Sequence, residues 1–86
     1  MSNNDVKINF NKSVEKVNKL EKKPSNEILL KLYGLYKQST IGNINVSKPS
    51  LFNYKLSEKW KSWNECKDIE TEKAQQKYID IVNSFI

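Results

Sequence analysis

The sequence has no histidine, no arginine and a single cysteine, Cys66, in 86 residues. A His/Cys metal centre and His-assisted nucleophilic catalysis therefore have nothing to be built from. Cys66 can form no internal disulfide, which fits a reducing compartment. With no arginine, all fifteen basic residues are Lys. Specific nucleic-acid readout leans on the bidentate guanidinium fork, so its absence argues against that partner, whereas Lys serves well as a point charge for phosphate. No apolar run approaches membrane-spanning length, and Met1–Asp5 has neither the basic nor the apolar region of a signal peptide. The expectation is a small cytoplasmic protein. Strand-like alternation and hairpin dipeptides are also missing, which leaves helices.

What is present is a net charge of +5, two Trp, four Tyr and three Phe in a chain that is 37% apolar. The aromatics argue against disorder, and the length suits one domain over residues 1–86. The basic balance points to an anionic partner: nucleic acid, a membrane surface or a phosphorylated small molecule.

Four amphipathic segments follow in order. Asp5–Lys22 repeats Phe10, Ser13, Val14, Val17 and Leu20 at helical spacing and ends at Lys23-Pro24. A second helix starts at Ser25 or Asn26 and ends near Thr40 or Ile41, with Gly42 as terminator. Gly42–Asn53 is a long connection in which Ile44, Val46, Leu51 and Phe52 are expected as apolar anchors. Tyr54–Cys66 forms a third helix with Leu56, Trp60 and Trp63 on one face, the tryptophans being expected in the core. Glu70–Phe85 forms the fourth, with the stripe Ala74, Tyr78, Ile81, Val82 and Phe85.

The second helix has two faces. Ile28, Leu32, Leu35 and Ser39 make a core stripe, and Leu29, Tyr33, Tyr36 and Thr40 make another line that core packing does not require, with Lys37 on its flank. Two phenols beside an ammonium suit a ring to be stacked and an anion to be held. Lys55 and Lys59 form a like-charge i, i+4 pair, either a solvated face or a cradle for a bridging phosphate. On these residues alone three other readings stay open. They are a basic helical module for acidic proteins or anionic membranes, a nucleic-acid-binding domain and, with no activated nucleophile and Glu70 and Glu72 on different faces, least of all an enzyme.

The run Leu32-Tyr33-Gly34-Leu35-Tyr36-Lys37-Gln38-Ser39-Thr40-Ile41-Gly42-Asn43-Ile44-Asn45, then Lys48-Pro49, Lys59-Trp60-x-x-Trp63 and Tyr78-Ile79-x-x-Val82, resembles the acyl-CoA-binding protein (diazepam-binding inhibitor) family. Phe10 and Lys23-Pro24 are also in register. The resemblance implies an all-α bundle of four helices in up-down-down-up order that binds medium- to long-chain acyl-CoA without catalysis, as a carrier and pool former. It implies stacking of adenine on Tyr36 and a 3′-phosphate held by Tyr33, Lys37 and Lys59, with Lys55, Tyr78 and Lys23 near the nucleotide head. Gly34 and Leu35, within the signature, are carried into the ligand-binding set on the same ground. The acyl chain is implied in a groove mainly between helices two and three. No metal or cofactor is implied, and the protein would be a monomer whose partner is fatty acyl-CoA rather than nucleic acid, meeting acyl-CoA-using enzymes or membrane surfaces transiently. Several positions depart from the family pattern. Asn18 stands for a common Lys, Ser39 for Ala, Asn43 for Asp, and Ser50 and Asp68 for Gly; the basic C-terminal extension is lacking.

Overall fold

In the computed structural model, which describes residues 3–86 and side chains from Asp5 onward, the chain forms α1 (Asn3–Lys19), α2 (Asn26–Thr40), α3 (Tyr54–Glu65) and α4 (Thr71–Phe85). No strand occurs among the described residues. Helix α1 stops three residues short of the expected Lys22. The Lys23 side chain doubles back, its Nζ donating to Val17 O at 2.9 Å and Asn18 O at 3.5 Å, so an ammonium satisfies the last carbonyls of α1. Ser25 is the N-cap of α2, its Oγ accepting from Ile28 N at 3.3 Å.

Helix α4 lies between α1 and α2, and α3 packs on the other side of α2. Burying α4 on two sides needs more than one stripe. Ala74, Tyr78, Ile79 and Val82 are buried, while Ile81 and Phe85 are half-buried against them. Val6, Phe10 and Val17 of α1 and Leu32 and Leu35 of α2 complete the core. Cys66 is buried with them and donates to Ser62 O at 3.4 Å. Burial pushes its thiol up, with Glu65 adding to the effect, which keeps it protonated and a poor nucleophile.

The contacts between α2 and α3 run in the same sequence direction: Leu30 and Lys59 line one groove, Gly34 meets Ser62, and Lys37 lies over Trp63. The two helices are therefore parallel, and the connection after α2 must travel back along the bundle before α3 can begin. This accounts for its length. Both tryptophans hold it down. Trp63 Nε1 donates to Gly42 O at 2.7 Å and Trp60 Nε1 to Val46 O at 2.8 Å. Trp63 is buried as expected, but Trp60 is only half-buried, because its ring covers the loop rather than the core. The expected loop anchors Val46, Leu51 and Phe52 are exposed instead, so the loop is fixed by backbone carbonyls on indoles.

The far end of the loop network joins α2 to the α3–α4 turn. Gln38 donates to Asn43 Oδ1 and to Ile69 O, both at 2.9 Å. The Asn43 amide in turn donates to Asp68 Oδ1 at 3.1 Å and accepts from Asp68 N at 2.7 Å. Asp68 has φ 69°, the region where glycine is unstrained. The two departures at 43 and 68 thus fit each other: an amide can donate to the Asp68 carboxylate, where a second carboxylate would repel it. We expect Asp68→Gly to relax the backbone but release Asn43, leaving a net change of under about 1 kcal/mol. Asn43→Asp with Asp68 retained should cost about 1–2 kcal/mol. Urea unfolding of the two variants checks this.

Candidate binding cleft

Helices α1 and α2 diverge above α4, and the space between them is a cleft of about 340 Å³. Val14, Val17 and Asn18 line one wall, Leu29, Leu32, Tyr33 and Tyr36 the other, and Tyr78 of α4 the floor. Phe10 of α1 packs behind two of its tyrosines. Phe10 lies 6.1 Å from Tyr36 with planes 26° apart, and meets Tyr78 edge-on at 5.1 Å. Phe10 is buried, and Tyr36 is 40% exposed, so its ring is backed by α1 while part of it stays open to a second ring.

Tyr33 belongs to two surfaces. It lines the cleft, and Lys59 Nζ sits over its ring at 5.4 Å from the α3 side. Beyond it, Asn26, Leu30, Tyr54, Lys55, Glu58 and Lys59 line a groove of about 370 Å³ between α2 and α3. Leu29 and Leu30, adjacent in sequence, face the cleft and the groove respectively. The two hollows therefore adjoin across one edge of α2. Glu58 is the carboxylate of the groove, and its interaction with the Tyr54 phenol pushes that phenol above its usual range.

The structure thus brings Tyr33, Tyr36 and Tyr78 to one cleft and Lys55 and Lys59 to the groove beside it. Lys23 reaches the same end of α1, its amine on the Val17 and Asn18 carbonyls at the cleft edge. Lys37 turns the other way, its Nζ 4.8 Å from the Trp63 ring centroid. Gly34 and Leu35 do not reach either hollow. Gly34 is buried where α2 touches the Ser62 backbone, and Leu35 is a core residue. In this structure both serve helix packing. Val14 and Val17 are not legible in the sequence as cleft residues. Their spacing reads as core, and only the space left between α1 and α2 makes them line a cleft.

A larger depression, about 430 Å³, lies on the opposite side of α2, floored by Leu35, Cys66, Ile69 and Ile81. No aromatic ring lines it.

The family model for acyl CoA binding protein matches residues 7–82. This chain belongs to the acyl-CoA-binding protein family. It is 41% identical to an acyl-CoA-binding protein homolog of Drosophila melanogaster, over 94% of both chains. Its fold matches the crystal structure of Oryza sativa acyl-CoA-binding protein 2 with a TM-score of 0.87 and 37% identity, over 92% of this chain and 86% of that one. Human enoyl-CoA delta isomerase 2 is 44% identical over 87% of this chain but only 19% of its own length. The similarity covers a small part of that enzyme. Among the described residues no helix is long and apolar enough to cross a membrane.

Burial pushes the Tyr78 phenol up to about 12 from the usual 10.0, with Tyr36 contributing. The folded state thus disfavours the phenolate. Below pH 10 the effect is constant; above it the unfolded chain ionises first, and stability falls as pH rises from about 10 to about 12. Tyr78→Phe should flatten that decline, measured by urea unfolding across the alkaline range.

Proposed function

We propose that the protein binds fatty acyl-CoA thioesters and carries them in a soluble pool, without catalysis. The observation that carries this reading is the aromatic cleft between α1 and α2 joined to a lysine-edged groove between α2 and α3. A long acyl-CoA needs both parts: a flat base to stack, phosphates to neutralise and an alkyl chain to shelter. In this reading adenine stacks on the open face of Tyr36. Tyr33, Lys59 and, after leaving Trp63, Lys37 hold the 3′-phosphate, and Lys55, Tyr78 and Lys23 border the nucleotide head. The alkyl chain of medium or long length lies in the groove beside Leu30 and the Tyr54 ring.

Stacking a base on an aromatic ring contributes about 1–3 kcal/mol. Tyr36→Ala should therefore weaken acyl-CoA binding by about tenfold or more while far-UV circular dichroism stays unchanged. Lys59→Ala should weaken it by about fivefold or more, with an effect that shrinks as salt is added. Calorimetric titration with palmitoyl-CoA reads both. Unchanged affinity in Tyr36→Ala would remove the cleft as the nucleotide site.

A further inference from the structure

We infer that the turn preceding α3 is a docking wedge for anionic lipid surfaces. Phe52 is fully exposed, Leu51 is 81% exposed and Tyr54 is 72% exposed, three large apolar side chains within four residues. A folded protein seldom shows water such a cluster unless something covers it. The turn is built to present them. Phe52 N donates to Ser50 Oγ at 3.2 Å, Asn53 N donates to Ser50 O at 3.0 Å, and the Asn53 side chain caps α3 by accepting from Leu56 N at 3.4 Å. Upstream, the two indole bonds to Gly42 O and Val46 O pin the loop to α3.

The charge around the wedge identifies the occupant. Exposed Lys48 precedes the wedge and exposed Lys55 and Lys59 follow it, outnumbering Glu58, the carboxylate of the adjoining groove. Within the loop, Lys48 is the charged residue and it is exposed. A convex turn that offers Leu and Phe between exposed lysines matches an interface where acyl chains lie beneath anionic headgroups. A protein groove would instead call for a helical face or a sheet edge, and the turn offers neither. The wedge adjoins the α2–α3 groove, since Tyr54 and Lys55 line that groove two or three residues after Phe52. Its use in passing an acyl-CoA to or from a lipid surface rests on the function proposed above; lipid docking itself does not.

The test is co-sedimentation of ligand-free protein with phosphatidylcholine vesicles, with and without phosphatidylserine, run beside palmitoyl-CoA calorimetry. We expect binding to the phosphatidylserine vesicles, lost progressively with added salt. Leu51→Ser/Phe52→Ser should cut it by about tenfold or more, and Lys48→Gln by a smaller factor, with acyl-CoA affinity unchanged in both variants. Three results would overturn the wedge: wild type that ignores both vesicles, a double variant that binds them equally well, or a double variant altered only in acyl-CoA affinity. Concentration-dependent self-association abolished by the double variant would assign the patch to a second copy and overturn it equally. Failure of acyl-CoA binding in the wild type, with lipid binding intact, would refute the proposed function and leave the docking surface standing.

Discussion

Gly34→Ala is expected to destabilise the fold by about 3 kcal/mol, and Gly34→Val by more. A Cβ at residue 34 would stand 2.3 Å from Ser62 O, 2.7 Å from Ser62 C and 3.2 Å from Trp63 N. All three are backbone atoms, so no rotamer change relieves the overlap; α2 and α3 must move apart by roughly 1 Å to restore ordinary contact. In a solvated helix the same substitution would stabilise by about 1 kcal/mol. The packing penalty opposes that gain and exceeds it, because the overlap lies at the crossing point of two helices. The displacement would also carry Lys59 away from Tyr33, so acyl-CoA affinity should fall with stability. Urea unfolding followed by far-UV circular dichroism measures the first effect and calorimetry the second. A Gly34→Ala protein as stable as wild type would show that the α2–α3 contact yields freely.

The second large effect concerns the ligand. Free CoA should bind at least about a thousandfold more weakly than palmitoyl-CoA, and free palmitate at least about a hundredfold more weakly. Each methylene sheltered from water contributes about 0.8 kcal/mol, so a sixteen-carbon chain has a gross value on the order of 10 kcal/mol. Part of this is offset by ordering the chain and by an incompletely enclosed groove, and roughly 4 kcal/mol realised already corresponds to a thousandfold. Each contact of the head contributes less than the whole chain: about 1–3 kcal/mol for the stacked base, and between about 1 and 4 kcal/mol for a close lysine–phosphate pair before desolvation is subtracted. The chain thus supplies affinity and the head supplies identity and register. Equal affinity for palmitate and palmitoyl-CoA would remove the nucleotide from the recognition scheme.

Helix number and the inward stripes were legible in the sequence because both follow from local periodicity. Phe10, Val17, Leu32, Leu35, Ala74 and Val82 repeat at the helical spacing, and all are buried. The helical spacing carries α1 three residues past its observed end, because Lys23 folds back onto Val17 and Asn18, a contact across the helix break. Gly34 could be read only as a weak helix residue; its reason lies in Ser62, on another helix. The breadth of the α4 face was also hidden. Ile79 looks peripheral to a single stripe and becomes buried because α1 and α2 cover α4 from two sides.

The candidate site divides in the same way. The line Leu29-Tyr33-Tyr36 and the pair Lys55 and Lys59 were visible as residues with no packing duty, and the signature they belong to named the family. Which of them share a surface was a tertiary matter. Two parallel helices with an overhand loop set Lys59 against Tyr33 and Lys37 against Trp63, and the divergence of α1 from α2 turns Val14, Val17 and Leu32 into the lining of a cleft. The sequence by itself determined the four helices, the two-faced α2 and the family, because each is written in spacings of three and four residues or in a contiguous motif. The tertiary structure decided where Gly34, Lys37, Leu51 and Phe52 belong, because burial and partnership depend on residues tens of positions away.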